Sequence, residues 1–314
     1  MKRLIAALAV ALLCAPGTWL RSTEGSSGDA SVAATAITSA QAIAVPGWTV
    51  EGVWDLASPT PQFGGFSALL DLGETGFAMF SDRGWRIDLT APGDPHVSAR
   101  LHRVFADQTG HRLFFDIEAA TRDPITGRIW LASENNHAIH RFTADGSADG
   151  RRAFSGMTAW ARNSGIEAMA RLDDGRFIIL PERADRGLIF ASDPVEGGAP
   201  ATFRITVPAK GYAITDAAAL PDGRLMVLLR KVLSPLRDGW PPFASMIAIG
   251  TVPQAGGTFA PEAVLPLAGL LPPENYEGLA LRPRADGTIE VWLIADDNLS
   301  IFQRTILAKL VFAP

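Results

Sequence analysis

The sequence predicts an all-β protein, a β-propeller of five blades, or of six if the longest interval between its repeats contains a further, degenerate blade. The first observation is a short segment that recurs five times, at Phe66 to Leu72, Ile117 to Asp123, Ile166 to Leu172, Thr215 to Pro221 and Tyr276 to Arg282. The second is that a glycine-containing turn and another apolar run follow each segment. The third is the spacing, with steps of 51, 49, 49 and 61 residues between aligned positions. Repeats of roughly 40–50 residues built from short strands are typical of propeller blades.

The N-terminal residues are interpreted separately from the repeats. A basic start, Met1-Lys2-Arg3, precedes a short apolar run, which is typical of a secretory signal peptide over residues 1–21. Residues 22–44 are rich in Ser, Ala, Thr and Gly and are predicted to be a disordered tether. Residues 45–314 are predicted to form one propeller domain, periplasmic or secreted. Burial of a large core must stabilise this domain, because Cys14 is the only cysteine and no disulfide can form within it.

The strands of one repeat follow from its apolar runs and turns. Four strands are predicted in the second repeat, at Asp116 to Thr121, Arg128 to Ser133, Ala138 to Thr143 and Arg151 to Phe154. Asp-Gly pairs such as Asp174-Gly175 indicate the hairpin turns. The fifth repeat lacks an outer strand, whereas Thr49 to Leu56 precedes the first inner strand. We therefore expect this N-terminal strand to complete the last blade and close the ring, which removes exposed sheet edges.

Strand direction separates the loops into two faces. In an up-and-down blade, the start of the inner strand and the end of the second strand lie on one face, and the tight Asp-Gly turns lie on the other. The long connections, among them 106–115, 155–165 and 231–243, fall on the first face, which we call the mouth. Long loops on one face of a rigid scaffold are where binding usually occurs. The segment 236–242 within one of these loops is interpreted either as a lid or as a surface loop packed down by Trp240.

One aligned position of the repeats is acidic in four cases out of five and is the candidate metal site. Its residues are Ser67, Glu118, Glu167, Asp216 and Glu277. Carboxylates that converge near one axis repel each other unless a cation is present. Oxygen ligands without cysteine or histidine favour Ca²⁺, with Mg²⁺ the less favoured choice, over Zn²⁺. The alternative is that these acids bond to neighbouring backbone amides and only fix the packing of the blades.

A second recurring set of polar residues lies at the ends of the second strands, on the same face. The candidate catalytic residues are Glu134 and Glu182 as general bases, and Arg83 and Arg183 as groups that stabilise developing negative charge. The candidate substrate-binding residues are Asp82, Arg230, Lys231, Asp297 and Asn298. Arginine and lysine side chains in such a set suit a phosphate or carboxylate. Salt bridges between blades are the alternative interpretation.

Charge restricts the partners. The chain has a formal net charge of −5, with no basic stripe and no interleaving of basic and aromatic residues. This disfavours nucleic acid and leaves a small anionic substrate or ligand as the expected partner. No membrane span is expected once the signal segment is removed, and the oligomeric state does not follow from the sequence.

Several motifs together resemble the phytase-like family of secreted bacterial proteins, which carries the label esterase-like activity. The matching segments are Phe63-Gly64-Gly65-Phe66-Ser67, Ser81-Asp82-Arg83-Gly84, Asp116-Ile117-Glu118-Ala119, Gly165-Ile166-Glu167-Ala168, Pro181-Glu182-Arg183 and Asn275-Tyr276-Glu277-Gly278-Leu279. The resemblance covers essentially all of the chain after the tether, and it implies a propeller fold and Ca²⁺-assisted hydrolysis of phosphoesters. The chain departs from a true phytase because it has no lysine-rich pocket of the kind that a many-phosphate substrate needs.

These residues are compatible with functions of different classes. The first is an exported, metal-dependent hydrolase of a phosphate ester or similar small anionic ester, in which the acids hold Ca²⁺. The alternative is a non-catalytic periplasmic propeller that binds a ligand or a protein and holds a structural metal. A third is a lactonase-type hydrolase of sugar acids, which requires an asparagine and acid set around one metal; Asn135, Asn136 and Asn298 leave this open.

Overall fold

The predicted all-β class is confirmed. The computed structural model describes residues 27–37, 44–92, 96–105, 116–134, 136–154, 160, 165–183, 185–238 and 240–314. The predicted signal segment, 1–21, lies outside these residues. Within them, antiparallel strands dominate, and the one α-helix is the four-residue α1 (Pro235–Asp238). None of the helices in this part of the chain has the length and apolar character that a membrane crossing requires.

The strands follow the repeats that the sequence indicates. Before the first repeat come β1 (Gly28–Ala36), β2 (Ala44–Val45) and β3 (Trp48–Ala57). The first repeat contains β4 (Phe66–Asp71), β5 (Phe77–Ser81), β6 (Trp85–Leu89) and β7 (His96–Arg103). The second contains β8 (Ile117–Arg122), β9 (Ile129–Ser133), β10 (Ala138–Phe142) and β11 (Ala148–Ala153). The third contains β12 (Ile166–Arg171), β13 (Phe177–Pro181), β14 (Arg186–Phe190) and β15 (Ala201–Ile205).

The last two repeats complete the sheets. The fourth contains β16 (Ala213–Ala219), β17 (Arg224–Val232), β18 (Phe243–Thr251), β19 (Thr258–Phe259) and β20 (Ala263–Pro266). The fifth contains β21 (Tyr276–Pro283), β22 (Ile289–Ala295) and β23 (Thr305–Phe312). The turns between inner and second strands have the predicted chemistry. In the third repeat Gly175 has a φ of 86°, a left-handed conformation that favours glycine, and its N–H donates to the carbonyl of Leu172.

The inner strands contact one another in a cyclic order, from β4 to β8, β12, β16, β21 and back to β4. Apolar cores lie between neighbouring sheets instead of within one sheet. Trp130 of β9, for example, packs edge-on against Phe177 of β13, with ring centroids 5.1 Å apart. Burial of one large apolar side chain stabilises the folded state by about 1.5–3 kcal/mol. Sheets that surround an axis and bury their faces against each other form the propeller that the repeats predict.

The prediction of a disordered tether is wrong for residues 28–36, which form β1. This strand pairs with β3 on one side and with β7 on the other. Val32 and Ala34 alternate with more exposed neighbours and lie in the core, at 1 % and 7 % exposure. The composition of the segment is that of a linker, yet two open sheet edges supply its hydrogen bonds. Those edges come from distant parts of the chain, so a local reading of composition does not reveal them.

Candidate functional site

Each inner strand contains a one-residue register shift near its beginning, and the shift determines which residue is left unpaired at the mouth. The unpaired residues are Ser67, Glu118, Glu167 and Glu277 in β4, β8, β12 and β21. In β16, however, the shift leaves Thr215 unpaired, while Asp216 pairs with Leu228. The sequence alignment of the fourth repeat is therefore corrected by one residue. Such bulges reorient a side chain and are common beside functional sites.

Three of the aligned acids are close enough to influence each other. Burial raises the pKa of Glu118 well above its usual range, and the charges of Glu167 and Glu277 raise it further. The pKa of Glu167 is raised in the same way, by burial and by Glu277. Each carboxylate thus makes ionisation of the others less favourable. The predicted convergence of Glu118, Glu167 and Glu277 agrees with this electrostatic coupling.

A tighter group of carboxylates contains one of these acids and two residues from outside the aligned position. Ligand oxygens of Asp116, Glu118 and Glu134 all lie within 4.8 Å of one another, and the three side chains are partly exposed. Asp116 precedes β8 in a left-handed conformation, with a φ of 47°, which brings its carboxylate beside Glu118. Glu134 follows β9, and the N–H of Gly165 donates to its Oε1 at 3.2 Å. Oxygen ligands of this kind suit a hard divalent cation.

Sequence reasoning did not identify Asp116 as a ligand candidate. In four of the five repeats, the residue two positions before the aligned one is of a type that favours left-handed backbone or close approach of other groups. These residues are Gly65, Asp116, Gly165 and Asn275. Asp116 is the charged residue among these four, and this could have marked it as a ligand candidate. The direction of its side chain depends on its own φ, which the spacing of the repeats does not specify.

The Gly64-Gly65 pair allows two further carboxylates to approach the backbone beside the site. The N–H of Gly65 donates to Oδ1 of Asp297 at 2.9 Å. A Cβ atom at Gly64 would lie 2.7 Å from that oxygen, and one at Gly65 would lie 2.8 Å from Oδ1 of Asp82. Burial raises the pKa of Asp82 from 3.8 to about 6, against the lowering effect of Arg83, and the charge of Asp116 raises it further. Asp82 Oδ1 is buried and has no hydrogen-bond partner among the described residues.

Arg230 is a cation that the structure places within the acidic region. Its Nη1 donates to Glu277 and, at 2.6 Å, to Oδ1 of Asn275, while its Nη2 lies 3.8 Å from Glu182. The Nδ2 of Asn275, a fully buried residue, also donates to Glu277 at 2.9 Å. These partners orient Arg230 and Glu277 towards each other. Arg230, predicted to bind substrate, is therefore already engaged as an internal counter-ion.

The remaining predicted residues are distributed around this centre. Arg183 is 66 % exposed and lies 3.1 Å from Glu182, so it lies at the solvent-exposed edge of the site. The Nζ of Lys231 lies 5.9 Å from the ring centre of Tyr212. Asn298 donates through Nδ2 to Gln303 and through its backbone N–H to Asp296. Both oxygens of Asp216 accept backbone N–H groups, from Ala217 and Leu279, as the packing alternative expects.

Comparison with known families gives one match over most of the chain. The family model described as "Phytase-like: Esterase-like activity of phytase" matches residues 61–299. These residues include all of the acids described above. No curated protein matches the chain.

Solved structures with a similar course of the chain are distant in sequence. A streptogramin B lyase is 10 % identical, with a TM-score of 0.43 over 85 % of this chain and 98 % of the other. The virginiamycin B lyase from Staphylococcus aureus is 11 % identical, with a TM-score of 0.44 over 90 % and 99 % of the two chains. YCF48 bound to D1 peptide is 12 % identical, with a TM-score of 0.37 over 85 % and 88 %. At these scores the likenesses carry no argument about the function of this chain.

Proposed function

The chain belongs to the phytase-like family with esterase-like activity, and from this premise we propose that it is a metal-dependent hydrolase of a phosphate ester or similar small anionic ester. The observation that carries the proposal is the group formed by Asp116, Glu118 and Glu134, whose ligand oxygens lie within 4.8 Å of one another. Three carboxylates at such distances are costly when ionised together, and a divalent cation offsets the repulsion.

The residues present fit a Ca²⁺ ion. All three close ligands are carboxylates, and the buried Oδ1 of Asp82 has no partner among the described residues. Glu167 and Glu277 add negative charge to the same region, since each raises the pKa of Glu118. In this proposal Asp116, Glu118 and Glu134 hold the ion, and the other acids attract it. When bound, such an ion polarises a substrate oxygen and lowers the pKa of a water molecule.

The chain's own residues supply the other roles. Glu134, which the sequence predicts as a general base, is a ligand of the ion in this proposal, and a bound cation would lower its pKa and occupy its oxygens. The candidate base is therefore Glu182, which is held by Arg183 at 3.1 Å. We propose that the anionic group of the substrate binds to Arg183, at the solvent-exposed edge of the site, and to Arg83, beside Asp82. Guanidinium groups suit this role because they bind phosphate and carboxylate bidentately.

The proposal includes the finer architecture and the location of the protein. We infer five blades whose inner strands are β4, β8, β12, β16 and β21, with β3 as the outer strand of the last blade. Support comes from the pairing of β3 with β23, in which Trp54 lies opposite Leu307. We also infer export to the periplasm or the medium, on the basis of the basic and apolar N-terminus.

One observation favours the non-catalytic alternative. Arg230, which would bind an anionic substrate, is engaged by Asn275 and Glu277. In the non-catalytic alternative, the mouth binds a ligand without turnover, and the cation has a structural role. The two functions differ in turnover, not in cation binding.

Hydrolysis assays on phosphomonoesters, phosphodiesters and carboxyl esters, with chelator or with added Ca²⁺ or Mg²⁺, test the proposal. We expect Ca²⁺-dependent turnover that Glu118→Gln reduces at least a hundredfold. The matched control is Glu74→Gln, which removes an exposed carboxylate from the turn on the opposite face. If no ester in any of these classes is hydrolysed, the hydrolase proposal is wrong, and a Ca²⁺-dependent melting shift without turnover would then support the binding function.

A further inference from the structure

Two neighbouring loops at the mouth carry an unusual concentration of exposed apolar side chains. Of the eight large apolar side chains that the described residues expose, five lie at the last residue of β17, on the loop after β17 or on the loop after β22. We call these five residues the apolar rim: Val232, Leu236, Trp240, Ile301 and Phe302. Their exposed fractions range from 52 % to 98 %. Exposed apolar residues that cluster in this way mark interaction sites, whereas single ones need no explanation.

Contacts between Trp240 and Phe302 join the two loops that carry the apolar rim. The indole N–H of Trp240 donates to the carbonyl of Phe302 at 3.2 Å. The two rings meet edge to face, with centroids 6.3 Å apart and an interplanar angle of 85°. The loop therefore packs down through Trp240, as one of the two sequence interpretations expects. The hydrogen-bonding capacity of the indole is used internally, and the remaining exposed surface of both rings is apolar.

Both loops begin at residues of the candidate site. Arg230, the counter-ion of Glu277, precedes Val232 by two residues at the end of β17. Asp297, which accepts the N–H of Gly65, also accepts the N–H of Leu299, and Ile301 follows two residues later. The apolar rim is thus continuous with the charged mouth through two short stretches of chain.

We propose that the apolar rim binds the alkyl or aryl group of an amphiphilic anion whose charged head enters the mouth. This inference rests on the proposed function and names its substrate class. Among the described residues of the mouth, Arg230 is bound to Glu277 and Lys231 lies near the ring of Tyr212, so neither is placed for a highly charged ligand. One anionic group and one apolar group match what the mouth and the rim present. An extended anionic membrane surface matches less well, because the protein's net charge of −5 repels it, whereas a single anionic head needs only the cation that the acids of the mouth would hold.

A homologous series of alkyl phosphates, from ethyl through butyl and hexyl to octyl, tests the proposal by calorimetric titration in the presence of Ca²⁺. Full burial of a methylene contributes about 0.8 kcal/mol, or about fourfold in affinity, so a rim open to solvent on one side predicts about twofold per methylene. The double variant Ile301→Ser/Phe302→Ser should abolish this increment and leave the affinity for ethyl phosphate unchanged. Because both side chains are exposed, its melting temperature should match that of the wild type.

The matched control is Ile125→Ser, which removes an apolar side chain that is 90 % exposed in the turn between β8 and β9, on the opposite face. This variant should retain the full increment. An undiminished increment in the rim variant overturns the proposal, as does an equal loss in the control. A third result would also overturn it: the wild type binds phosphatidylcholine vesicles, and the rim variant loses this binding but keeps the gain in affinity per methylene. The apolar rim would then be a membrane contact.

The outcome for the rim is separable from that for catalysis. An increment that depends on the rim, in a protein that hydrolyses no ester, supports this inference and contradicts the hydrolase proposal. Conversely, if no member of the alkyl phosphate series binds while the wild type hydrolyses a short carboxyl ester, this inference is wrong and the hydrolase proposal stands.

Discussion

Asp216 of β16 accepts the backbone N–H of Leu279 of β21 at 2.7 Å, and this bond joins the inner strands of the fourth and fifth repeats. The other carboxylate oxygen accepts the N–H of Ala217 at 2.8 Å. Asp216 is almost fully buried, at 1 % exposure, and burial raises its pKa well above the usual range. The residue at the bulge position of β16, where the other repeats place their acids, is Thr215. Asp216 therefore fixes the packing between strands.

The first prediction concerns this bond. Asp216→Ala leaves the N–H groups of Ala217 and Leu279 buried without a partner, and we expect the free energy of unfolding to fall by about 2–4 kcal/mol. Denaturant titration measures the loss. The melting shift that Ca²⁺ produces should be retained in this variant and lost in Glu118→Gln. If Asp216→Ala folds but its melting temperature no longer responds to Ca²⁺, Asp216 is a ligand of the cation and this prediction is wrong.

The second prediction concerns the pH dependence of the chelated protein. Folding raises the pKa values of Glu118 and Glu167, and that of Asp82 from 3.8 to about 6, so the folded state holds more protons than the unfolded chain at mildly acidic pH. The stabilisation that these protons provide is complete below about pH 4 and is lost as the pH rises through the folded pKa values. With chelator present, Glu118→Gln should therefore be more stable than the wild type at neutral pH, because the amide removes one of the carboxylates that repel each other.

Thermal unfolding of both proteins between pH 4 and pH 8 measures this difference. The stability difference should vanish near pH 4, where the carboxylates are protonated in both states. Saturating Ca²⁺ should reverse the order at pH 7, because a ligand at 100 times its dissociation constant stabilises the folded state by about 2.7 kcal/mol. A constant difference across the pH range would show that the repulsion among these acids is too weak to matter.

The third prediction concerns the ion pair between Arg230 and Glu277. The two side chains are 17 % and 13 % exposed, so removal of one partner leaves a charge in a largely buried position. Arg230→Met should lower the free energy of unfolding by about 3–5 kcal/mol. The double variant Arg230→Met/Glu277→Met should lose less, because no unpaired charge remains. A double-mutant cycle in denaturant gives the coupling, and additive losses would contradict the role of Arg230 as a counter-ion.

The fourth prediction concerns β1. A chain that begins at residue 45 lacks β1 and exposes the edges of β3 and β7, which otherwise pair with it. We expect such a chain to melt at a lower temperature and to aggregate at concentrations where a chain beginning at residue 27 remains monodisperse. Val32→Asp in the longer chain should produce a similar loss, because Val32 is 1 % exposed and packs in the core. Asp29, exposed on the same strand, is the control position, and Asp29→Asn should have no effect.

Local patterns in the sequence were sufficient for most of the scaffold. The inner strand predicted at Phe66 to Leu72 is observed as Phe66–Asp71, and that predicted at Ile166 to Leu172 as Ile166–Arg171. Alternation of apolar residues and Asp-Gly turns act over a few residues, so the repeats and the all-β class can be recognised without tertiary contacts. The side of the molecule on which the acids lie follows from strand direction alone.

The candidate site depended on features that act at longer range. The bulge in β16 places Thr215 where the alignment had placed Asp216, and a shift of one residue changes which side chain is unpaired. Asp116, which joins Glu118 and Glu134, has a left-handed backbone that the spacing of the repeats does not predict. Arg230, an expected ligand of substrate, is bound by Glu277 of β21 and by Asn275, which precedes that strand.

The sequence by itself determined the repeats, the strand class and the acidic character of one face, because each of these follows from residue types at regular spacing. Tertiary structure alone decided which acids share a site, which cation neutralises them and how residues 28–36 are used. The physical reason is that electrostatic repulsion, ion pairing and the pairing of sheet edges depend on distances between residues far apart in the chain. In this protein those distances are set by the register of each inner strand and by the cyclic contact of the strands around the axis.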